Sequence, residues 1–144
     1  MFWVTRRYEL SASHRLHAPA LSEEENRALY GKCNNPYGHG HNYVLEVSAR
    51  GPLDPRSGRA VDTNRLDALV RDRVLDAFAH RNLNEQVEVF RTLVPTSENL
   101  GVEIFRRLRE GWSTAFTGEW PKLAKVRIAE TRRNIFEVAS DEID

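Results

Sequence analysis

His39-Gly40-His41-Asn42-Tyr43-Val44-Leu45-Glu46-Val47-Ser48-Ala49-Arg50 decides the fold. Its odd positions carry His39, His41, Tyr43, Leu45, Val47 and Ala49. From Asn42 on, the even ones carry Asn42, Val44, Glu46, Ser48 and Arg50, a period of two that fits a half-buried strand. The same alternation fills Val4 to His14, where Val4, Arg6, Tyr8, Leu10, Ala12 and His14 share the more apolar parity. Three histidines therefore lie on apolar strand faces, and a meander that sets the first strand beside the second brings them together.

Working outward, Ala18 to Asn26 holds a proline, a candidate Ser22 cap and clustered acids, and reads as a loop with at most one short helix. Gly51 to Gly58 is dense in turn formers. Asp62, Thr63 or Asn64 can cap a helix with Leu66, Leu69, Val70, Val74, Ala77 and Phe78 at three- and four-residue spacing, expected to stop near His80-Arg81-Asn82. Thr96 or Ser97 can cap a second helix with Leu100, Ile104, Phe105 and Leu108 on one side, expected to end near Gly111. After Pro121, Val126, Ile128 and Glu130 share one parity, and Asn134, Phe136 and Val138 follow a turn, giving a closing hairpin. The order is ββααββ, which predicts an α+β fold: a mainly antiparallel sheet with helices covering one face.

With 144 residues, the chain is expected to form one domain, 1–144. Twenty-one Lys and Arg balance 21 Asp and Glu, so no global field holds nucleic acid or an anionic membrane, and any anionic ligand must be held locally. No apolar run approaches the ~20 residues that span a bilayer, and Met1 to Arg6 lacks the apolar block of a signal peptide, so a cytoplasmic protein is expected. One cysteine, Cys33, excludes an internal disulfide and leaves metal binding mainly to histidine.

A strand histidine taken singly is more often a hydrogen-bonded core or surface residue. His39-x-His41 is different: both rings project from one face about 6 to 7 Å apart, within reach of one ion, and His14 can add a third imidazole from the matching strand. Three neutral imidazoles bind zinc and leave a position open, the arrangement of catalytic zinc. Cys33 lies in a turn-rich loop beside Lys32, where this cation and a bound metal would lower the thiol pKa and make a base or nucleophile. His80 follows a helix end, whose dipole favours an imidazolium and so a proton donor; a plain helix cap is the simpler reading. Glu130 points to an apolar face and needs either an Arg or Lys partner or a ligand with paired N–H donors. Thr96 and Ser97 open a helix whose N-terminus can also hold a polar ligand.

Together, Ser11-Ala12-Ser13-His14-Arg15-Leu16, Gly31 to Tyr43 (GKCNNPYGHGHNY), His80-Arg81-Asn82-Leu83-Asn84, Pro95-Thr96-Ser97-Glu98-Asn99 and Glu130-Thr131 resemble the 6-pyruvoyltetrahydropterin synthase family, which includes the 6-carboxytetrahydropterin synthases of queuosine biosynthesis. The resemblance covers nearly the whole chain. It implies a tunnelling fold: ββααββ subunits, each an antiparallel four-stranded sheet with two helices on one face, joined into an oligomeric barrel, commonly a homohexamer with sites at subunit interfaces. It further implies zinc on His14, His39 and His41, Cys33 as the proton-abstracting base, His80 as the second acid/base, Glu130 as pterin anchor, and Thr96 and Ser97 holding the ring.

The implied activity is a zinc-dependent lyase that converts 7,8-dihydroneopterin triphosphate to 6-pyruvoyltetrahydropterin, a step of tetrahydrobiopterin biosynthesis. The five residues between Cys33 and His39 look more like the 6-pyruvoyl enzymes; the 6-carboxy reaction, which releases acetaldehyde with triphosphate, is the close alternative. The family usually has Asp before the second histidine, whereas Ala79 stands here. That departure leaves room for a pterin-binding homologue of weak activity, unless Asp76, four residues before His80, reaches the ring along a continuing helix.

Overall fold

The computed structural model describes residues 1–142 of the expected 1–144 domain. The two alternating segments form β1 (Phe2–His14) and β2 (His39–Gly51), which pair antiparallel without interruption from Phe2 opposite Gly51 to His14 opposite His39. β2 pairs on its other side with a later strand, Lys122–Ala129, which in turn pairs with Ile135–Ala139, both antiparallel.

A further strand, β3 (Arg81–Asn82), pairs parallel with Ala12 and Ser13 of β1. Numbering the later two strands β4 and β5, the sheet is five-stranded in the order β3-β1-β2-β4-β5, not the four antiparallel strands expected. Two residues carry no readable periodicity, and the segment looked like a helix end. It becomes a strand because the helix before it stops at Phe78, Ala79 is extended, and His80 takes a left-handed conformation (φ 59°) that donates its N–H to Ser11 O at 2.5 Å.

The helices outnumber the two long ones expected, and the short helix allowed after Ser22 forms. α1 (Glu23–Tyr30) is fixed by a capping box in which Ser22 and Glu25 each accept the other's backbone N–H. α2 (Thr63–Val70), capped by Asp62, runs on through a π-helical turn (Arg71–Leu75) into a last α turn, α3 (Asp76–Phe78). The short α4 (Leu83–Gln86) precedes α5 (Ser97–Ala115), capped by Thr96. α2, its continuation and α5 bury Leu66, Val70, Val74, Phe78, Leu100, Ile104 and Leu108 against Leu10, Tyr43, Leu45, Val47, Val126 and Ile128 of one sheet face. α5 does not end at Gly111. A Cβ there would stand 2.9 Å from both Leu69 Cδ1 and Arg73 Nε, so this glycine permits close helix contact rather than marking a stop.

β1 is pinned to α2 by Asp67, which accepts from Arg6 Nη2 at 2.8 Å and Tyr8 Oη at 2.6 Å. The hydrogen bond from Arg6 is the main cause that lowers the Asp67 pKa below the ordinary 3.8. A carboxyl with a lowered folded-state pKa stabilises above its unfolded value and loses that contribution as pH falls through the folded one. Asp67→Asn is therefore expected to melt below the parent at pH 7, with the gap closing once the pH is below 3.8; thermal melts by circular dichroism at both pH values check this. Among the described residues, no helix is long and apolar enough to cross a membrane.

Candidate metal centre and active site

His14 closes β1 and His39 opens β2, paired across the ladder, while His41 stands opposite Ala12. Paired residues point to one face, so all three rings project to the helix-covered side. His14 is fully buried. Its Nδ1 donates to Pro95 O at 2.9 Å, with Tyr43 Oη at 3.2 Å, and a carbonyl that only accepts fixes the proton on Nδ1. Nε2 is left with a lone pair, buried and without a hydrogen-bond partner. Burial, then the neighbouring His41 and His39, push the His14 pKa down to about 4, so the imidazole is neutral and ready to ligate at physiological pH. Burial also lowers His41, against the opposing pull of Glu130.

Glu130 sits one residue past β4, its N–H bonded to Asn134 O at 3.0 Å. Its Oε1 lies 3.3 Å from His41 Nε2 and 3.9 Å from His14 Nε2, so its protein neighbours are imidazoles rather than an Arg or Lys. Cys33 lies in a 3-10 turn (Gly31–Asn34) held against the segment after β1 by Leu16 N–H to Cys33 O at 2.7 Å and Asn34 Nδ2 to Leu16 O at 2.7 Å. Its Sγ stands 3.6 Å from His41 Nε2. Donor atoms of His14, Cys33, His41 and Glu130 all lie within 4.8 Å of one another, a set whose chemistry suits zinc. His39 is exposed and outside this group of four, its ring 4.7 Å from that of His41.

The expected lowering of the Cys33 pKa depends on a bound cation. In the protein alone, burial first, then the Glu130 carboxylate, raise it. Thr96 Oγ1 accepts from Asn99 N–H at 3.2 Å as a cap. Ser97, 3% exposed, keeps an unpartnered Oγ at the start of a helix that Pro95 ties to His14.

His80 stands outside the group of four donors and lines an open cleft with Ser11, Ala12, Ser13, Gly40, His41 and Asn42. Asp76 does not reach it along a helix, because α3 ends at Phe78. Cys33 stands beside the histidines as its expected place next to a bound metal requires, whereas the approach of Glu130 to them and the orientation of His14 by Pro95 were not foreseen. The inward parity of Glu130 was the available signal for the first; a carbonyl contact 81 residues away in sequence leaves none.

A model of 6-pyruvoyl tetrahydropterin synthase matches residues 3–141, a span that holds every residue of this centre. The chain belongs to the 6-pyruvoyl tetrahydropterin synthase family. The human member, 6-pyruvoyl tetrahydrobiopterin synthase, is 39% identical over 132 residues, 92% of this chain and 87% of that protein. The structure of the Caenorhabditis elegans synthase superposes with a TM-score of 0.84 at 42% identity, covering 96% of this chain and 95% of that one. A putative 6-carboxy-5,6,7,8-tetrahydropterin synthase of Archaeoglobus fulgidus is 39% identical over 72 residues, only 50% of this chain and 56% of that protein. The fold of the Caenorhabditis elegans synthase is thus matched over nearly the whole chain.

Proposed function

We propose that this chain is a zinc-dependent lyase that converts 7,8-dihydroneopterin triphosphate to 6-pyruvoyltetrahydropterin with loss of triphosphate. The observation that carries the reading is the buried, unpartnered Nε2 of a neutral His14 facing His41, Cys33 and Glu130. The end-to-end likeness to 6-pyruvoyl enzymes favours this product over the 6-carboxy one, whose named relative matches half the chain.

His14, His39 and His41 would hold zinc. When bound, it supplies Lewis acidity toward the oxygens of the substrate side chain, acidifying the neighbouring C–H and O–H bonds. Cys33, beside that site, takes up the proton. Glu130 accepts the paired N–H donors of the 2-aminopyrimidinone edge, and Thr96 and Ser97 hold the ring, with the free Ser97 Oγ offering a hydrogen bond. Glu130→Gln, which removes a charge-assisted pair worth about 1.5–3 kcal/mol, is expected to weaken dihydroneopterin binding by about 10- to 100-fold, read by fluorescence titration. The cytoplasm is the proposed compartment, since a thiol base stays reduced there.

His80 completes the chemistry as the second acid/base group; in its own copy it shares a cleft with His41 but stands outside the four clustered donors, and the family likeness sets the site between copies. We therefore propose a homo-oligomer, a hexamer by family likeness. Its support is exposed Phe2 (54%), Trp3 (60%) and Tyr37 (95%), together with β1 residues before Ala12 that, among the described residues, have no strand on their outer side. Mixing inactive Cys33→Ala and His80→Ala subunits is expected to restore part of the activity, while native mass spectrometry gives the copy number; no restoration in mixed oligomers would refute a shared site.

Ala79 favours a second reading, a pterin-binding homologue of weak turnover. Product analysis after incubation with the triphosphate decides: pyruvoyl product supports the proposal, acetaldehyde the 6-carboxy reaction, and unchanged bound substrate the second reading.

A further inference from the structure

A cleft of about 550 Å³ lies between α1, the Cys33 turn and the segment that follows β1. Arg15, Arg27 and Lys32 line it with His17 and His39, and Glu23 is its one acid. Three permanent cations against one carboxylate is a local excess in a chain of zero net charge. None of the three forms an ion pair among the described residues, whereas Arg6, Arg65, Arg107 and Arg127 all do. Arg15 is also positioned: Asn84 clamps its backbone from both sides, and its Nε donates to Asn34 O at 3.2 Å, which leaves both terminal nitrogens for a ligand.

The other cavities carry a smaller excess or none: two of them set two permanent cations against one acid. The one at the far end of the sheet, about 820 Å³, sets Arg59 and Arg65 against Asp54 and Asp62, and the His80 cleft has Arg81 as its one permanent cation. The cationic cleft also adjoins the metal centre, because His39 lines it and stacks edge-on against His41 at 4.7 Å.

We propose that this cleft is the subsite for the polyphosphate of the substrate, with Arg15, Arg27 and Lys32 as its anion-binding residues. The proposal rests on the pterin triphosphate reading above. A substrate whose side-chain oxygens sit at the metal carries its phosphates only a few bonds away, and the cleft supplies charge at that distance. As the C–O bond breaks, its electron pair leaves on the triphosphate oxygen, and cations fixed around the leaving group favour that charge beyond the ground state. Substitution should then lower kcat as well as raise KM.

The test uses the zinc-loaded full chain, its metal content confirmed after each titration, and two probes: inorganic triphosphate and 7,8-dihydroneopterin without phosphate. In Arg27→Ala/Lys32→Ala, calorimetric affinity for triphosphate is expected to fall by at least about tenfold with a shallower salt dependence, and dihydroneopterin affinity is expected to hold. Arg27 and Lys32 are exposed, so the variant keeps its fold, and the retained dihydroneopterin binding verifies this. Unchanged triphosphate affinity, or a parent that does not bind triphosphate, overturns the proposal. A parent that binds triphosphate through these residues but not dihydroneopterin leaves the subsite standing and refutes the pterin reading instead.

Discussion

His14→Ala is expected to release the metal: zinc per chain, measured by mass spectrometry of the purified protein, falls from near one to near zero, and turnover falls below detection. The expectation follows from burial. His14 Nε2 has no protein partner and no water-exposed surface, so its lone pair is stabilised only by an ion. A buried imidazole without one leaves a polar atom unsatisfied, at about 1–3 kcal/mol. The ring is held by Pro95 O and Tyr43 Oη, which cannot swing to replace it.

Because the substitution also opens a cavity, a melt must accompany the metal assay; a folded, zinc-free variant is the expected outcome. Stoichiometric zinc in His14→Ala would refute the centre. The same assay separates two ligand sets. If His14, His39 and His41 hold zinc, His39→Ala loses it and Cys33→Ala keeps it. If the four clustered donors hold it, the result reverses.

What the sequence made legible was whatever repeats at a fixed period. Alternation at Val4 to His14 and His39 to Arg50 placed both long strands, and with them the common face of three histidines, because period two dictates facing. Caps were legible too: Asp62 and Thr96 carry side chains that accept the first free N–H groups, as their types predict. The rest depended on contacts that have no period. β3 exists because left-handed His80 hands its N–H to Ser11, 69 residues earlier. Gly111 resembled a helix end but faces Leu69 and Arg73, a relation visible only once α2 and α5 pack. At the centre, residue types gave the chemistry, whereas the approach of Glu130 to His41 depends on how β4 ends and the chain turns toward β5.

Cys33→Ala is expected to keep zinc and substrate binding and to lose about 10²- to 10⁴-fold in kcat, the range for removing a positioned general base. The structure adds a condition on how this thiol works. Burial and then the Glu130 carboxylate both raise its pKa, so in metal-free protein at neutral pH it is a thiol and a poor base. A bound cation beside it opposes both causes, and N–H donors of a pterin at Glu130 weaken the second.

Both effects are measurable separately because Cys33 is the only cysteine, so alkylation by iodoacetamide reports its thiolate alone. In metal-free protein the rate-against-pH curve should lie above that of an ordinary thiol. Glu130→Gln should shift it to lower pH by removing the second cause, and zinc loading should shift it further in the same direction. A curve that Glu130→Gln leaves in place would mean that burial alone sets the pKa. Coupling between anchor and base would then fail, and substrate docking at Glu130 could not be what arms Cys33.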